Sequence, residues 1–154
     1  MCVRKSSFLV LLLATCTFAQ NQPIKIGMPT QREQIRVGDT IHLLFSVKDS
    51  LSPIVVWLST DTGISFSQIC RISINSTITL HDDYGNGASL LDTTYLDSTS
   101  MTWTIGVKWM VPDSIRESGS NGSISTVSDR VVLRGSTWDQ SNSAYLGVAI
   151  HPRP

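Results

Sequence analysis

From residue 24 onward the chain alternates apolar and polar side chains with a period of two and never sustains apolar residues at helical spacing. The alternation predicts strands over residues 24–28, 40–47, 54–59, 65–74, 101–111, 130–136 and 145–150, separated by clusters of Gly, Asp, Asn, Ser and Pro. Ser, Thr, Val and Ile dominate these segments, and β-branched side chains fit a pleated, half-buried surface. The expected fold is all-β, with two sheets packed as a sandwich of about seven or eight short strands.

The same alternation assigns faces. In "SMTWTIGVKWMVP", Met101, Trp103, Ile105, Val107, Trp109 and Val111 share one side, while Thr102, Thr104, Gly106, Lys108 and Met110 share the other. Trp103 and Trp109 are therefore expected in the core, with Ile54, Val56, Leu58, Val131, Leu133, Val148 and Ile150. The register that points Ile54, Val56 and Leu58 inward turns Val55, Trp57 and Ser59 outward, which makes Trp57 a surface tryptophan. Trp138, in "GSTWDQSNSA", sits at a strand end beside a polar turn. Trp57 and Trp138 are the candidate carbohydrate- or partner-binding residues, because an indole face stacks on the apolar side of a pyranose without needing a charge. Segments 82–100 and 112–129 lack alternation and read as long loops, the second mobile from its Ser, Gly and Asn content.

The first twenty residues, "MCVRKSSFLVLLLATCTFAQ", carry two cations before a short apolar run and then small residues. This is the form of a secretory signal peptide, residues 1–19, cleaved after Ala19 to leave a domain of residues 20–154. In an alternative cleavage, "LATC" acts as a bacterial lipobox and Cys16 becomes a lipidated N-terminus, although Thr15 stands where Gly, Ala or Ser is usual. The apolar run is too short for a transmembrane helix of about 20 residues, and no later stretch is longer. The expected location is secreted, periplasmic or at the cell surface.

Charge and cysteine content narrow the chemistry. The whole chain has a formal charge of +0, and loss of Arg4 and Lys5 with the signal takes it to about −2. With no basic stripe, nucleic acid is not the expected partner. Cys70, in "SQICRIS", has no cysteine partner once the signal is removed and reads as a small buried thiol. One cysteine and three scattered histidines make no zinc framework, and no cofactor is expected.

Three motifs invite sharper readings. Asp61-Thr62-Gly63, between two apolar strands, fits a hairpin turn, since Asp and Gly supply local hydrogen bonding and positive φ. The alternative is a dimeric aspartic protease, which needs two carboxylates about 3 Å apart sharing one proton. Ser59 and Thr60 stand where such enzymes carry apolar residues, so the hairpin is preferred. The acidic run "HDDYGNGASLLD" has Tyr84 and Thr93 where an ordered calcium loop needs ligands, and reads as a solvated turn. His42, His81 and His151 are isolated and receive no catalytic role. Asn75-Ser76-Thr77 and Asn121-Gly122-Ser123 fit the glycosylation sequon, which matters in a eukaryotic source.

Read in order, "IRVGDTIHLLFSV", "IVVWLSTDTGISFSQI", "KWMVPDSI", "DRVVLRGSTW" and "YLGVAI" resemble secreted bacterial immunoglobulin-like and fibronectin-III-like modules. The pattern is similar to the N-terminal Ig-like domain of Ser/Thr-rich cell-wall glucan-assembly proteins and spans residues 24–151. The resemblance implies an Ig-like sandwich and a non-catalytic module that accompanies enzymes or adhesins. The chain departs from it in carrying a single such module and an expanded loop after Pro112. The expected function is binding of a polysaccharide or of another envelope protein.

Overall fold

The computed structural model describes residues 24–28, 34–48, 53–117 and 121–154. The expected signal peptide, the expected cleavage site after Ala19 and Cys16 lie outside the described residues, as does part of the loop expected to be mobile. The strands are β1 (Ile24–Gly27), β2 (Ile35–Arg36), β3 (Thr40–Lys48), β4 (Ile54–Ser59), β5 (Ser67–Ile74), β6 (Ile78–His81) and β7 (Ala88–Leu90). They continue with β8 (Tyr95–Asp97), β9 (Thr102–Met110), β10 (Ser114–Arg116), β11 (Ser123–Ser125), β12 (Ser128–Thr137) and β13 (Ser143–His151). All described secondary structure is β, as the alternation required. Among the described residues no helix is long and apolar enough to cross a membrane.

A five-stranded sheet runs β1-β3-β9-β7 with β8 also on β9, and a six-stranded sheet runs β2-β13-β12-β4-β5-β6. The hairpin β10-β11 forms a third sheet. The count of seven or eight strands in two sheets is therefore corrected to thirteen described strands in three sheets. Four of the extra strands, β7, β8, β10 and β11, fall inside the two expected loops with three residues each, β7 and β8 held on β9 and β10 and β11 on each other, while β2 and β6 lie outside those loops and pair with β13 and β5.

The two larger sheets share one apolar core. Phe45 of β3 reaches the backbone of Gly135 in β12, where an added Cβ would meet the Phe45 ring at 2.7 Å. Glycine there lets the ring approach the opposite sheet. Trp109, Ile54, Val56, Leu58, Val131, Leu133 and Ile150 are buried as expected, whereas Trp103 and Val148 are partly buried at the core's margin. Val55 and Ser59, assigned to the outer side of β4, are nonetheless fully buried. Something covers the outer face of β4.

Candidate binding face on the six-stranded sheet

The cover begins at the "STDTG" turn. Asp61-Thr62-Gly63 lies in the loop joining the antiparallel pair β4 and β5, with φ of 64° at Thr62 and 86° at Gly63. Asp61 organises this loop. Its Oδ1 accepts from Ser59 Oγ (2.6 Å), Ile64 N (3.2 Å) and Ser65 N (2.9 Å), and its Oδ2 from Ser65 Oγ (2.5 Å). Ser59 Oγ in turn accepts from Gly63 N at 2.8 Å. The Ser59 and Ser65 hydroxyls, followed by the loop amides, hold the Asp61 carboxyl well below the usual carboxylate range. A carboxylate engaged by four donors of its own loop is poorly placed to share a proton with a second copy.

This turn carries the loop back across the sheet. Thr62 N donates to Arg130 O (3.3 Å), and Ser128 Oγ donates to Thr60 O (3.1 Å), tying the loop to β12. Phe66, at the loop's far end, then lies against Arg134, with the guanidinium carbon 4.0 Å from the ring centroid. Arg134 also faces the Trp57 ring at 5.1 Å. Trp57 is outward-facing as its parity predicted, yet half-buried, and its indole N–H donates to Ser136 Oγ at 2.8 Å. It is a support beneath the arginine more than an open platform.

Register completes the row. Arg134 pairs with Trp57 on one side and Tyr145 on the other, so Tyr145, Arg134 and Trp57 cross three adjacent strands on one face. Tyr145 is 59% exposed, and its ring is 6.5 Å from that of Phe66. Trp138 follows two residues beyond Ser136, its backbone N–H donating to Pro53 O at 3.1 Å, and is 60% exposed. Its own turn is fixed by Asp139, whose pKa falls to about 2 because the Thr137 and Ser141 hydroxyls and the Ser141 amide donate to it. The sequence thus pointed to this face through Trp57 and Trp138, but not to Phe66, Arg134 or Tyr145. The parity of Arg134 with Ser136 was the available signal for one of them.

No protein-family model matches the chain, and no curated protein matches it in sequence. Function has therefore to be read from the side chains. Other groups offer less. Ser73 Oγ and His81 Nε2 lie 3.2 Å apart across β5 and β6, so His81 is not isolated, but neighbouring Asp83 is turned to Arg71 at 3.7 Å. Asp82 spends both oxygens on the amides of Asn86, Gly87 and Ala88, closing a turn as expected. Cys70 is buried, and desolvation, with Asp82 and Asp83 nearby, pushes its thiol pKa up, which leaves it a poor nucleophile. A separate cleft of about 760 Å³ lies between the Tyr84–Asn86 turn and the β10-β11 hairpin, with Arg116 and Glu117 as opposite charges in its lining.

The capped carboxylates predict an acid response. Both Asp61 and Asp139 have folded pKa values below the ordinary 3.8. Their contribution to stability is fully present above roughly pH 4 and is lost as pH falls through the depressed values. The urea midpoint should be flat from roughly pH 6 to 4 and fall towards pH 2, and the fall should shrink in Asp61→Asn/Asp139→Asn. An equal fall in that double variant would remove these two groups from the account.

Proposed function

We propose that this protein is a secreted or envelope-associated, non-catalytic module of the two-sheet Ig-like type, and that it binds polysaccharide through the outer face of its six-stranded sheet. The strand order supports the Ig-like part. Immunoglobulin sandwiches place strands A, B, E and D in one sheet and G, F and C, with C′ and C″ in the variable type, in the other. Here β1-β3-β9-β7 and β13-β12-β4-β5-β6 can be laid on that order, with β10-β11 as an insertion. The Phe45 ring against Gly135 fills the space between β3 and β12, the strands that would correspond to the disulfide-linked B and F.

One observation carries the binding part: exposed Tyr145 adjoins a half-buried Trp57–Arg134–Phe66 stack on one sheet face, and exposed Trp138 follows in the turn directly after β12. Rings held rigidly on strands lose little freedom on contact and suit the flat apolar side of a sugar. Purified protein incubated with insoluble cellulose, chitin and β-glucans should be retained on at least one. Retention should fall about tenfold in Trp138→Ala and also in Trp57→Ala, which removes the support under Arg134. Retention on none, with co-purification of one envelope protein lost in the same variants, would replace the polysaccharide by a protein partner.

A further inference from the structure

Arg134 narrows the class of ligand. It stands on an interior strand of the six-stranded sheet, half-buried, and its Nε–H is buried without an acceptor. Among the described residues no carboxylate pairs with it. Its neighbours across the sheet are Trp57 and Tyr145, and those on its own face of β12 are Val132 and Ser136, none of them acidic. Asp61, the acid of the hairpin that delivers Phe66, is saturated by its own loop. A cation partly withdrawn from water is ordinarily paired, and ring faces return part of the lost hydration.

Resting on the polysaccharide reading above, we infer that the ligand is an acidic sugar polymer, with a sugar carboxylate seated on the Arg134 guanidinium and the same residue's pyranose stacked on Tyr145. A guanidinium presents a planar fork that matches a carboxylate bidentately. The rings of Trp57 and Phe66 hold that fork in place before the ligand arrives. Tyr145 lies directly across the strand pair from Arg134, at a Cβ spacing of about 5 Å, so one sugar residue can touch both. A neutral sugar would cover the face and leave the cation unpaired, which costs affinity.

The test titrates the intact protein with polygalacturonate and hyaluronan, and with carboxyl-reduced forms of each, by isothermal calorimetry. At least one acidic polymer should bind about tenfold or more tighter than its reduced form. Arg134→Gln should lose about tenfold to a hundredfold for the acidic polymer and abolish its preference over the reduced form. Arg134→Lys, which keeps the charge and loses the fork, should fall between. Should Arg134→Gln fail to fold by circular dichroism, Arg134→Lys and Tyr145→Ala supply the same comparison. Equal binding to acidic and reduced polymers would overturn the acidic class while the polysaccharide reading stands. Binding to no polymer, here or among the insoluble ones, would overturn both. Equal displacement by dextran sulfate or polyglutamate would overturn the carboxylated sugar in favour of a general polyanion or an acidic peptide.

Discussion

Trp109→Ala should cost about 3–5 kcal/mol of stability, close to the whole margin of many domains. The ring is fully buried in the middle of the five-stranded sheet, between Ile41 of β3 and Ala88 of β7. Its indole N–H donates to Asn86 O at 2.9 Å. Truncation opens a cavity that flanking strands cannot close and leaves a buried carbonyl without its donor. Urea unfolding followed by circular dichroism would measure the loss. Trp103→Ala, at the partly buried margin, should cost clearly less. A Trp109→Ala loss below about 1 kcal/mol would mean that the core is not centred where this packing puts it.

Asn86→Ala should cost about 2–4 kcal/mol, an effect of different origin. Asn86 is 2% exposed, its Oδ1 accepts from Arg116 N at 2.9 Å, and its Nδ2 donates to Gln68 O at 3.1 Å. With its own carbonyl on Trp109, this one residue joins all three sheets through β5, β9 and β10. Alanine would strand the Arg116 amide and the Gln68 carbonyl. Asn86→Asp keeps the acceptor but sets a second acceptor, now charged, against the Gln68 carbonyl, and should be no better. Amide exchange at Arg116 should quicken in Asn86→Ala, and unchanged exchange would show that the side-chain bond does not hold the hairpin.

These two residues illustrate what alternation could and could not disclose. Trp109 was legible because the C-terminal half of β9 buries Val107 and Trp109 between exposed Lys108 and Met110, so period two survives in the sequence. The long strands β3, β5, β12 and β13 were found from the same alternation, and β4 as a short continuous apolar run, which the burial of both its faces explains. β8 was not, because Tyr95, Leu96 and Asp97 are all exposed and its pairing comes from β9. β10 and β11 bury Ile115 and, in part, Ile124 between polar neighbours, too little for a periodic signal. Asn86 lay inside a run read as a solvated turn, and its burial depends on strands distant in sequence.

The binding face divides in the same way. Parity alone turned Trp57 outward. Its burial required the path of the 60–66 loop, which the Asp61 hydrogen bonds and the positive φ of Thr62 and Gly63 determine. The partnership of Arg134 with Phe66 and Tyr145 joins the β4–β5 loop to β12 and β13, a contact no local pattern encodes.

The face itself can be tested against its opposite. Calorimetric dissociation constants for the best-retained polysaccharide would be compared among wild type, Trp138→Ala/Tyr145→Ala, and Lys108→Ala/Met110→Ala on the outer side of β9. All four of these side chains are exposed, so stability should be nearly unchanged in both variants. The account predicts a loss of about tenfold or more in Trp138→Ala/Tyr145→Ala and wild-type affinity in Lys108→Ala/Met110→Ala. The reverse pattern, or full affinity in both, would contradict binding through the six-stranded sheet.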